Sequence, residues 1–275
     1  MNRIIIVILI GFLLFSCGKK IDERTKNFPK FLEIPKNIPN KNNIWVFILA
    51  GQSNMAGRGL VEPKDTISNQ RILTINKDNQ IVFAKEPLHF YEPSMTGLDC
   101  GLSFAKKLIE KFPDSISILI IPTAVGGTSI SQWIGDSLFR NVQLLSNFKE
   151  KVEFGNKHGI IKAILWHQGE NDGNQNDVRN YKFKLSKLFT EFRKIVGNDT
   201  LPILIGELGI FPNTPIEYSE INKIIYEYAL TDNYIKIIRT NDLKDKEDNL
   251  HFNSESQRIM GQRFSDKYLE MIKSP

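Results

Sequence analysis

Short apolar runs alternate with longer stretches of helical spacing along most of this chain. In residues 44–50 (IWVFILA) every position is apolar, as expected of a strand buried on both faces. Similar runs follow at 117–122, 160–167, 201–208 and 234–239, a hairpin is indicated at 72–84, and helical stretches lie at 102–112, 138–154, 177–196, 216–230 and 254–273. Such alternation requires right-handed crossovers between parallel strands. It predicts an α/β fold, a three-layer α/β/α sandwich around a central five-stranded parallel sheet.

Open parallel sheets bind ligands beyond the carboxyl ends of their strands, and polar motifs follow the strands here. The first is residues 51–57 (GQSNMAG), which places Ser53 directly after the first strand. A serine at a strand-to-helix turn can act as a nucleophile beside free N–H groups, although serine is equally common as a helix cap. Met55 replaces the second glycine of the Gly-x-Ser-x-Gly elbow, so the turn is of another kind.

Paired glycines follow the strand at 117–122, in the segment 123–130 (TAVGGTSI). Gly126 and Gly127 allow the backbone to approach a ligand closely and expose N–H donors. A tight structural loop is the alternative interpretation of this motif.

A polar segment, residues 166–173 (WHQGENDG), follows the strand at 160–167. Gln168 and Asn171 each offer an amide that could stabilise an oxyanion. The acidic side chains of this segment are expected to shape the loop. His167 can be read either as a packing residue, which is favoured, or as a catalytic base.

A candidate base lies near the end of the chain, just before the last helical stretch. Asp248 precedes His251 by three residues, so its carboxylate can turn back on the imidazole within one loop. A base for serine needs a pKa near neutrality and an anionic partner that fixes its tautomer. Serine, aspartate and histidine in this chain order are a known arrangement for acyl transfer.

Taken together, the four motifs resemble the blocks of the SGNH hydrolase superfamily, which has a flavodoxin-like fold. The chain is most similar to its carbohydrate esterases of the sialate O-acetylesterase and acetylxylan esterase type. The resemblance rests on residues 51–57, residues 125–130 with Trp133, residues 167–170 and the pair of Asp248 and His251. It covers about residues 44–272.

The resemblance implies a role for each motif. Ser53 would be the nucleophile, His251 the general base and Asp248 the residue that orients it. The oxyanion hole would use the N–H groups of Ser53 and Gly126 and one amide, from either Gln168 or Asn171. Further substrate contacts are expected from Gln52, Gly127, Arg58 and Glu170. No cofactor or metal is expected, because His, Asp and Cys are not clustered at ligand spacing.

The expected function is a serine esterase that removes O-acetyl groups from acetylated carbohydrates through an acetyl-enzyme, with a sialic acid or xylan-type glycan as substrate. Two alternatives remain open at this point. One is a tethered carbohydrate-binding lipoprotein with a vestigial site. The other is a short-chain acyl or lipid esterase, which would need an apolar acyl pocket.

The chain's net charge of +5 and pI near 9.0 have a local origin. Seven basic and three acidic residues lie between positions 19 and 41, whereas residues 42–275 carry 28 basic and 28 acidic residues. The body is therefore electrically balanced, which argues against nucleic acid as a partner.

The N-terminus has the pattern of an export signal. Arg3 precedes an apolar run at residues 4–15, which is too short to span a bilayer, since spanning needs about 20 residues. The run ends at Cys17 in a sequence that resembles a bacterial lipobox, and an ordinary secretory signal is the alternative. We predict a lipoprotein signal peptide at 1–16, a lipidated, poorly ordered tether at 17–43 and an esterase domain at 44–275. The protein would be an exported bacterial lipoprotein, anchored to a membrane and facing the periplasm or the cell surface.

Overall fold

A seven-stranded sheet forms the middle of a three-layer α/β/α sandwich in the computed structural model, which describes residues 22–273. The sheet has the order β3-β2-β4-β1-β7-β8-β9, and every neighbouring pair is parallel except β2 with β3. Its strands are β1 (Ile44–Gly51), β2 (Ile72–Ile75), β3 (Ile81–Phe83), β4 (Ser117–Pro122), β7 (Ile160–His167), β8 (Ile203–Gly206) and β9 (Ile235–Ile238). The predicted α/β/α architecture is confirmed.

Helices cover both faces of the sheet, because side chains of a strand point alternately to either side. Val46 and Ile48 of β1 belong to one apolar core, and Phe47 and Leu49 belong to the other. The first core contains side chains of α3 (Ile130–Ile134), α4 (Leu144–His158), α5 (Val178–Val196) and α6 (Ile216–Ala229). The second contains side chains of α1 (Ser53–Ala56), α2 (Gly101–Ile109) and α7 (Ser254–Lys273).

The sheet has two strands more than the predicted five. The hairpin predicted at 72–84 exists as β2 and β3, and it is part of the main sheet because β2 pairs in parallel with β4 from Ile72↔Ile118 to Thr74↔Ile120. The sequence of a hairpin does not indicate which strand of a sheet it will pair with. The position of β2 and β3 at the edge of the main sheet is therefore known only from the structure.

The helix predicted at 138–154 is wrong in its first part. A small hairpin, β5 (Leu138–Phe139) and β6 (Val142–Gln143), precedes α4. Its two turn residues, Arg140 and Asn141, have φ of 48° and 63°, which is the left-handed geometry of a tight two-residue hairpin turn. Leu138 is 68% exposed, so it does not pack on the core as the apolar face of a helix would.

Residues 22–43, predicted to be part of a poorly ordered tether, lie against the body. The Asn27 amide donates to the Val61 carbonyl at 2.9 Å, and the Phe83 N–H at the end of β3 donates to the Glu33 carbonyl at 2.8 Å. These two hydrogen bonds join the segment to the body. Cys17 and the predicted signal peptide lie outside the described residues. Within residues 22–273, no helix combines the length and the apolar character that crossing a membrane requires.

Candidate active site

A sharp turn at the end of β1 presents Ser53. Gly51 has φ of 140°, and a Cβ atom there would lie 2.1 Å from the His167 carbonyl oxygen, so only glycine can occupy this position. The N–H of Gln52 donates to the same carbonyl at 2.9 Å. The end of β7 therefore fixes the turn, and Ser53 becomes the first residue of α1.

Three of the predicted residues form a hydrogen-bonded row. The Ser53 Oγ lies 3.0 Å from His251 Nε2, and His251 Nδ1 lies 2.7 Å from Asp248 Oδ2. The other Asp248 oxygen accepts the backbone N–H groups of His251 at 2.8 Å and of Leu250 at 3.1 Å. Because Asp248 can only accept when ionised, the imidazole proton lies on Nδ1, which leaves the Nε2 lone pair facing Ser53.

The electrostatics of the row favour a neutral imidazole beside an ionised carboxylate. Burial lowers the pKa of His251 below its ordinary value, and this effect exceeds the opposing influence of Asp248. Partial burial raises the pKa of Asp248, but the hydrogen bonds from His251 outweigh it and lower that pKa overall. At neutral pH the row is therefore ready to accept a proton from Ser53.

His167 is a packing residue. Its Nε2 lies 2.8 Å from the Glu207 carbonyl oxygen, which can only accept, so Nε2 carries the proton. The ring is fully buried and meets the Phe252 ring edge-on at a centroid distance of 5.7 Å. Of the two interpretations left open for His167, the structure favours the packing one, because the ring supports the loop that carries His251.

The two candidate oxyanion amides differ in their surroundings. The Gln168 amide is buried and donates to Gln52 Oε1 at 3.2 Å, to the Thr128 carbonyl at 3.1 Å and to Asp172 Oδ2 at 2.5 Å. The Asn171 side chain is exposed and lines the pocket beside Ser53. The structure thus leaves Asn171 available to a ligand, whereas Gln168 is occupied by protein.

The predicted oxyanion donor Gly126 already has an acceptor. Its N–H donates to Glu92 Oε2 at 2.6 Å, and the same oxygen accepts from Arg58 Nη2 at 2.9 Å. Burial raises the pKa of Glu92, but the Arg58 guanidinium outweighs it and holds that pKa below the ordinary value. Gly127 differs, since its N–H has no acceptor among residues 22–273 and it lines the pocket.

Arg58, predicted to contact substrate, is buried and committed to protein groups. Its two terminal nitrogens donate to the Gly57 carbonyl and to Glu92. Arg140, at the tip of the β5–β6 hairpin, pairs with the other oxygen of Glu92 and leaves 37% of its side chain exposed at the pocket. The sequence reasoning missed Arg140 and Glu92, because neither belongs to a motif.

The Gln52 amide has a fixed orientation. Its oxygen accepts the backbone N–H groups of Gly169 at 3.4 Å and Asn171 at 3.3 Å, which can only donate. The amide nitrogen is therefore turned away from this loop, and Gln52 lines the pocket. Glu170 also lines it. One Glu170 oxygen accepts from Asn54 at 2.6 Å, and the other is buried without a partner in the described structure.

These side chains enclose a pocket of about 310 Å³. Seven of its twelve lining residues carry polar or charged side chains, and its larger apolar side chains are Met95, Leu250 and Tyr218. Within the described part of the chain, no group of three or more His, Cys, Asp or Glu side chains is arranged to hold a metal ion. The residues that line the pocket are Gln52, Ser53, Arg58, Met95, Gly126, Gly127, Arg140, Glu170, Asn171, Tyr218, Leu250 and His251.

The chain is similar to known proteins over most of its length. A probable carbohydrate esterase of Arabidopsis thaliana is 30% identical over 259 residues, covering 86% of this chain and 94% of that protein. The crystal structure of an Arabidopsis thaliana protein superimposes with a TM-score of 0.73 at 29% identity, over 83% of this chain and 98% of that one.

Two further structures share the fold at lower identity. NanS has a TM-score of 0.71 at 18% identity and covers 86% of this chain and 100% of its own. A carbohydrate acetylesterase from Xanthomonas citri has a TM-score of 0.62 at 16% identity, over 80% of this chain and 55% of its own.

A family model described as carbohydrate esterase, sialic acid-specific acetylesterase, matches residues 43–270. This match covers the sheet, its helices and the whole hydrogen-bonded row. The chain therefore belongs to this family of carbohydrate acetylesterases and is a carboxylic ester hydrolase, as its motifs predict.

Proposed function

We propose that this enzyme removes O-acetyl groups from acetylated carbohydrates by nucleophilic attack of Ser53. The observation that carries the proposal is the row of Ser53, His251 and Asp248, with separations of 3.0 and 2.7 Å. A nucleophile within hydrogen-bond reach of a base, itself oriented by a third group, is the arrangement that acyl transfer requires.

The reaction has two steps, acylation and deacylation of Ser53. The Ser53 proton moves to His251 Nε2 as Oγ bonds to the acetyl carbonyl carbon, and the bond to the sugar oxygen then breaks as that oxygen takes the proton. The sugar leaves with a free hydroxyl, and Ser53 carries the acetyl group. Water next loses a proton to His251 and attacks the acetyl carbon. The bond to Ser53 Oγ breaks as Oγ takes that proton back from His251, and the acetic acid formed ionises to acetate in the solvent.

The oxyanion of each half-reaction needs donors that no protein group already occupies. The N–H groups of Ser53 and Gly127 meet this requirement, and so does the Asn171 amide at the pocket wall. The Gln52 amide nitrogen, turned away from its three donors, is a fourth candidate. We assign the hole to these groups in place of Gly126 and Gln168, whose donors are bonded to protein.

The pocket favours acetyl over longer acyl groups. A long acyl chain needs an extended apolar channel, because burying its methylenes is what binds it. Met95, Leu250 and Tyr218 are the larger apolar side chains that line this pocket, and its other lining residues are glycine or carry polar side chains. Hydrolysis should therefore fall steeply from acetate through butyrate to octanoate esters. Equal rates along this series would favour a general acyl esterase.

The central test is hydrolysis of 4-nitrophenyl acetate and of acetylated sugars by the protein and its Ser53→Ala variant. We expect the variant to lose at least about 10³-fold in kcat, because the acetyl-enzyme cannot form. Ser131→Ala, on the exposed side of α3, is a matched control that should keep full activity. Activity of Ser53→Ala equal to that of the control would disprove the assignment.

The finer substrate that we propose is an acidic acetylated sugar such as an O-acetylated sialic acid. Arg58 and Arg140 share the single carboxylate of Glu92, so this cluster keeps one positive charge, and Arg140 presents it at the pocket. Arg140→Gln should lower kcat/KM for acetylated sialic acid by at least about tenfold while leaving acetylated xylo-oligosaccharides unchanged. An equal loss on both substrates would show that Arg140 does not recognise the carboxylate of the sugar.

We further propose that the enzyme is an exported lipoprotein whose lipid is carried by Cys17. The support is the sequence of the leader, with its basic start, short apolar run and cysteine. Mass spectrometry of the mature N-terminus should find a diacylated Cys17, and Cys17→Ser should shift the protein from the membrane to the soluble fraction. A mature chain that begins elsewhere and lacks lipid would refute this.

A further inference from the structure

The amide of Asn54 bridges the nucleophile turn and the loop that carries the base. Its oxygen accepts the N–H of Phe252 at 3.0 Å, and its nitrogen donates to the Leu250 carbonyl at 3.1 Å. These two residues are the chain neighbours of His251 on either side. The amide therefore holds the backbone on both sides of His251.

The orientation of this amide is unambiguous. The Phe252 N–H can only donate and the Leu250 carbonyl can only accept, so the oxygen and nitrogen of Asn54 cannot be exchanged. The second amide hydrogen is directed to Glu170 Oε1, 2.6 Å away. Asn54 is fully buried, and all its donor and acceptor capacity toward this loop is used.

Apart from its bond to Ser53, the hydrogen bonds of His251 stay within its own loop. Asp248 holds both the imidazole and the backbone of His251, but it belongs to the same loop and would move with it. The His251 carbonyl accepts from Lys246 within that loop. The buried Phe252 ring packs edge-on against the His167 and Phe211 rings, an apolar contact without a hydrogen bond. The Asn54 amide adds two directional hydrogen bonds between this loop and the nucleophile turn.

We infer that Asn54 is a positioning residue that sets the distance between Ser53 and His251, and that Glu170 acts through it with one carboxylate oxygen. The inference rests on the proposed nucleophile and base. Because Asn54 directly follows Ser53, one residue fixes both partners of the first proton transfer. A misplacement of about 1 Å can cost about 10²-fold in rate, so the effect should be large.

The first experiment compares Asn54→Ala with Asn222→Ala. Asn222 is a matched control, because its amide likewise bridges a backbone N–H and carbonyl, both of Leu208, on another loop. The readouts are kcat and KM on 4-nitrophenyl acetate, the rate at which a fluorophosphonate labels Ser53, and thermal unfolding. Fluorophosphonate labelling needs the base but not sugar binding, so it reports the coupling of nucleophile and base directly.

We expect folded Asn54→Ala to lose about 10²-fold in kcat and in labelling rate, with KM changed far less. Asn222→Ala should keep both rates while losing a comparable amount of thermal stability. Labelling of folded Asn54→Ala at the rate of the control would overturn the inference. Should Ser53→Ala remain active instead, the proposed function itself fails, which is a different result.

A rescue experiment decides the matter even where Asn54→Ala does not fold. Asn54→Asp keeps an acceptor for Phe252 but sets a carboxylate oxygen against both Glu170 and the Leu250 carbonyl, so labelling should slow. Adding Glu170→Gln restores a donor between the two side chains and should raise the labelling rate about tenfold above that of Asn54→Asp, with Glu170→Gln alone measured so that its own effect on labelling is known. Failure of the double variant to exceed Asn54→Asp would overturn the inference.

Discussion

Replacing Asp248 by asparagine should reverse the imidazole tautomer and disable the enzyme. Asp248 Oδ1 accepts the backbone N–H groups of Leu250 and His251, at 3.1 and 2.8 Å. In Asp248→Asn, the amide oxygen must keep this position, because the amide nitrogen cannot accept from N–H groups. The nitrogen then faces His251 Nδ1 and donates to it. The imidazole proton moves to Nε2, where it blocks acceptance of the Ser53 proton.

The expected loss is about 10³–10⁴-fold in kcat, or about 4–5.5 kcal/mol of activation free energy. Asp248→Ala should be less damaging than Asp248→Asn, since it sets no donor against Nδ1 and the side-chain site is 35% exposed, so water can replace the acceptor. Asp248→Ala removes more of the side chain than Asp248→Asn and yet should retain more activity. This order of activities indicates that the imidazole tautomer has changed.

The assay is hydrolysis of 4-nitrophenyl acetate, with thermal unfolding of each variant as the check on folding. Asp242→Asn, which alters an exposed ion pair with Arg263 outside the pocket, is the matched control and should keep full activity. If Asp248→Asn retained more than about a tenth of the activity, or exceeded Asp248→Ala, the reasoning about the tautomer would be refuted.

The remaining predictions concern pH, the oxyanion amide and helix packing. His251 must be neutral to accept a proton and its pKa is lowered, so kcat/KM should rise along an acid limb centred below about 6.5, and a midpoint above 7 would contradict this. Asn171→Ala should lower kcat by about 10²–10³-fold, whereas Asn176→Ala in the same loop should not, and equal activities would exclude Asn171 from the hole. In Gly261→Ala, the new Cβ would lie 2.2 Å from a carbonyl at the start of α2, which should cost about 1–3 kcal/mol in urea unfolding, and an unchanged midpoint would contradict the packing.

The sequence predicted which loops meet at one edge of the sheet, because their polar motifs follow strand ends. Ser53, Gly126, Gln168 and Asn171 all come from loops after β1, β4 and β7, and these three strands are neighbours in the sheet. Parallel strands bring their carboxyl ends to one edge, so position along the chain was enough to group these residues. The sequence does not indicate which of their hydrogen-bond donors remain free for substrate. That depends on protein acceptors that are distant in sequence.

Glu92 and Arg140 illustrate what was missed. Glu92 occupies an irregular loop, and nothing in its neighbourhood indicates that it captures the Gly126 N–H across 34 positions of the chain. Arg140 was missed because its segment was predicted to be helical. The apolar residues at 138, 142 and 145 fit a helical period as well as a hairpin. The backbone geometry of Arg140 and Asn141, rather than any apolar pattern, decided between the two.

The β5–β6 hairpin is separate from the turn that carries Ser53, so the two parts of the site can change independently. The proposed nucleophile Ser53 lies at the end of the central strand β1, where a side chain at Gly51 would collide with the end of β7. Arg140 lies instead on a six-residue excursion, outside the main sheet and held by one short strand pair. Exchanging the tip of that excursion alters what approaches the ester while the reaction machinery keeps its geometry. Related enzymes could thus diverge in the sugar they accept without re-evolving how they hydrolyse it.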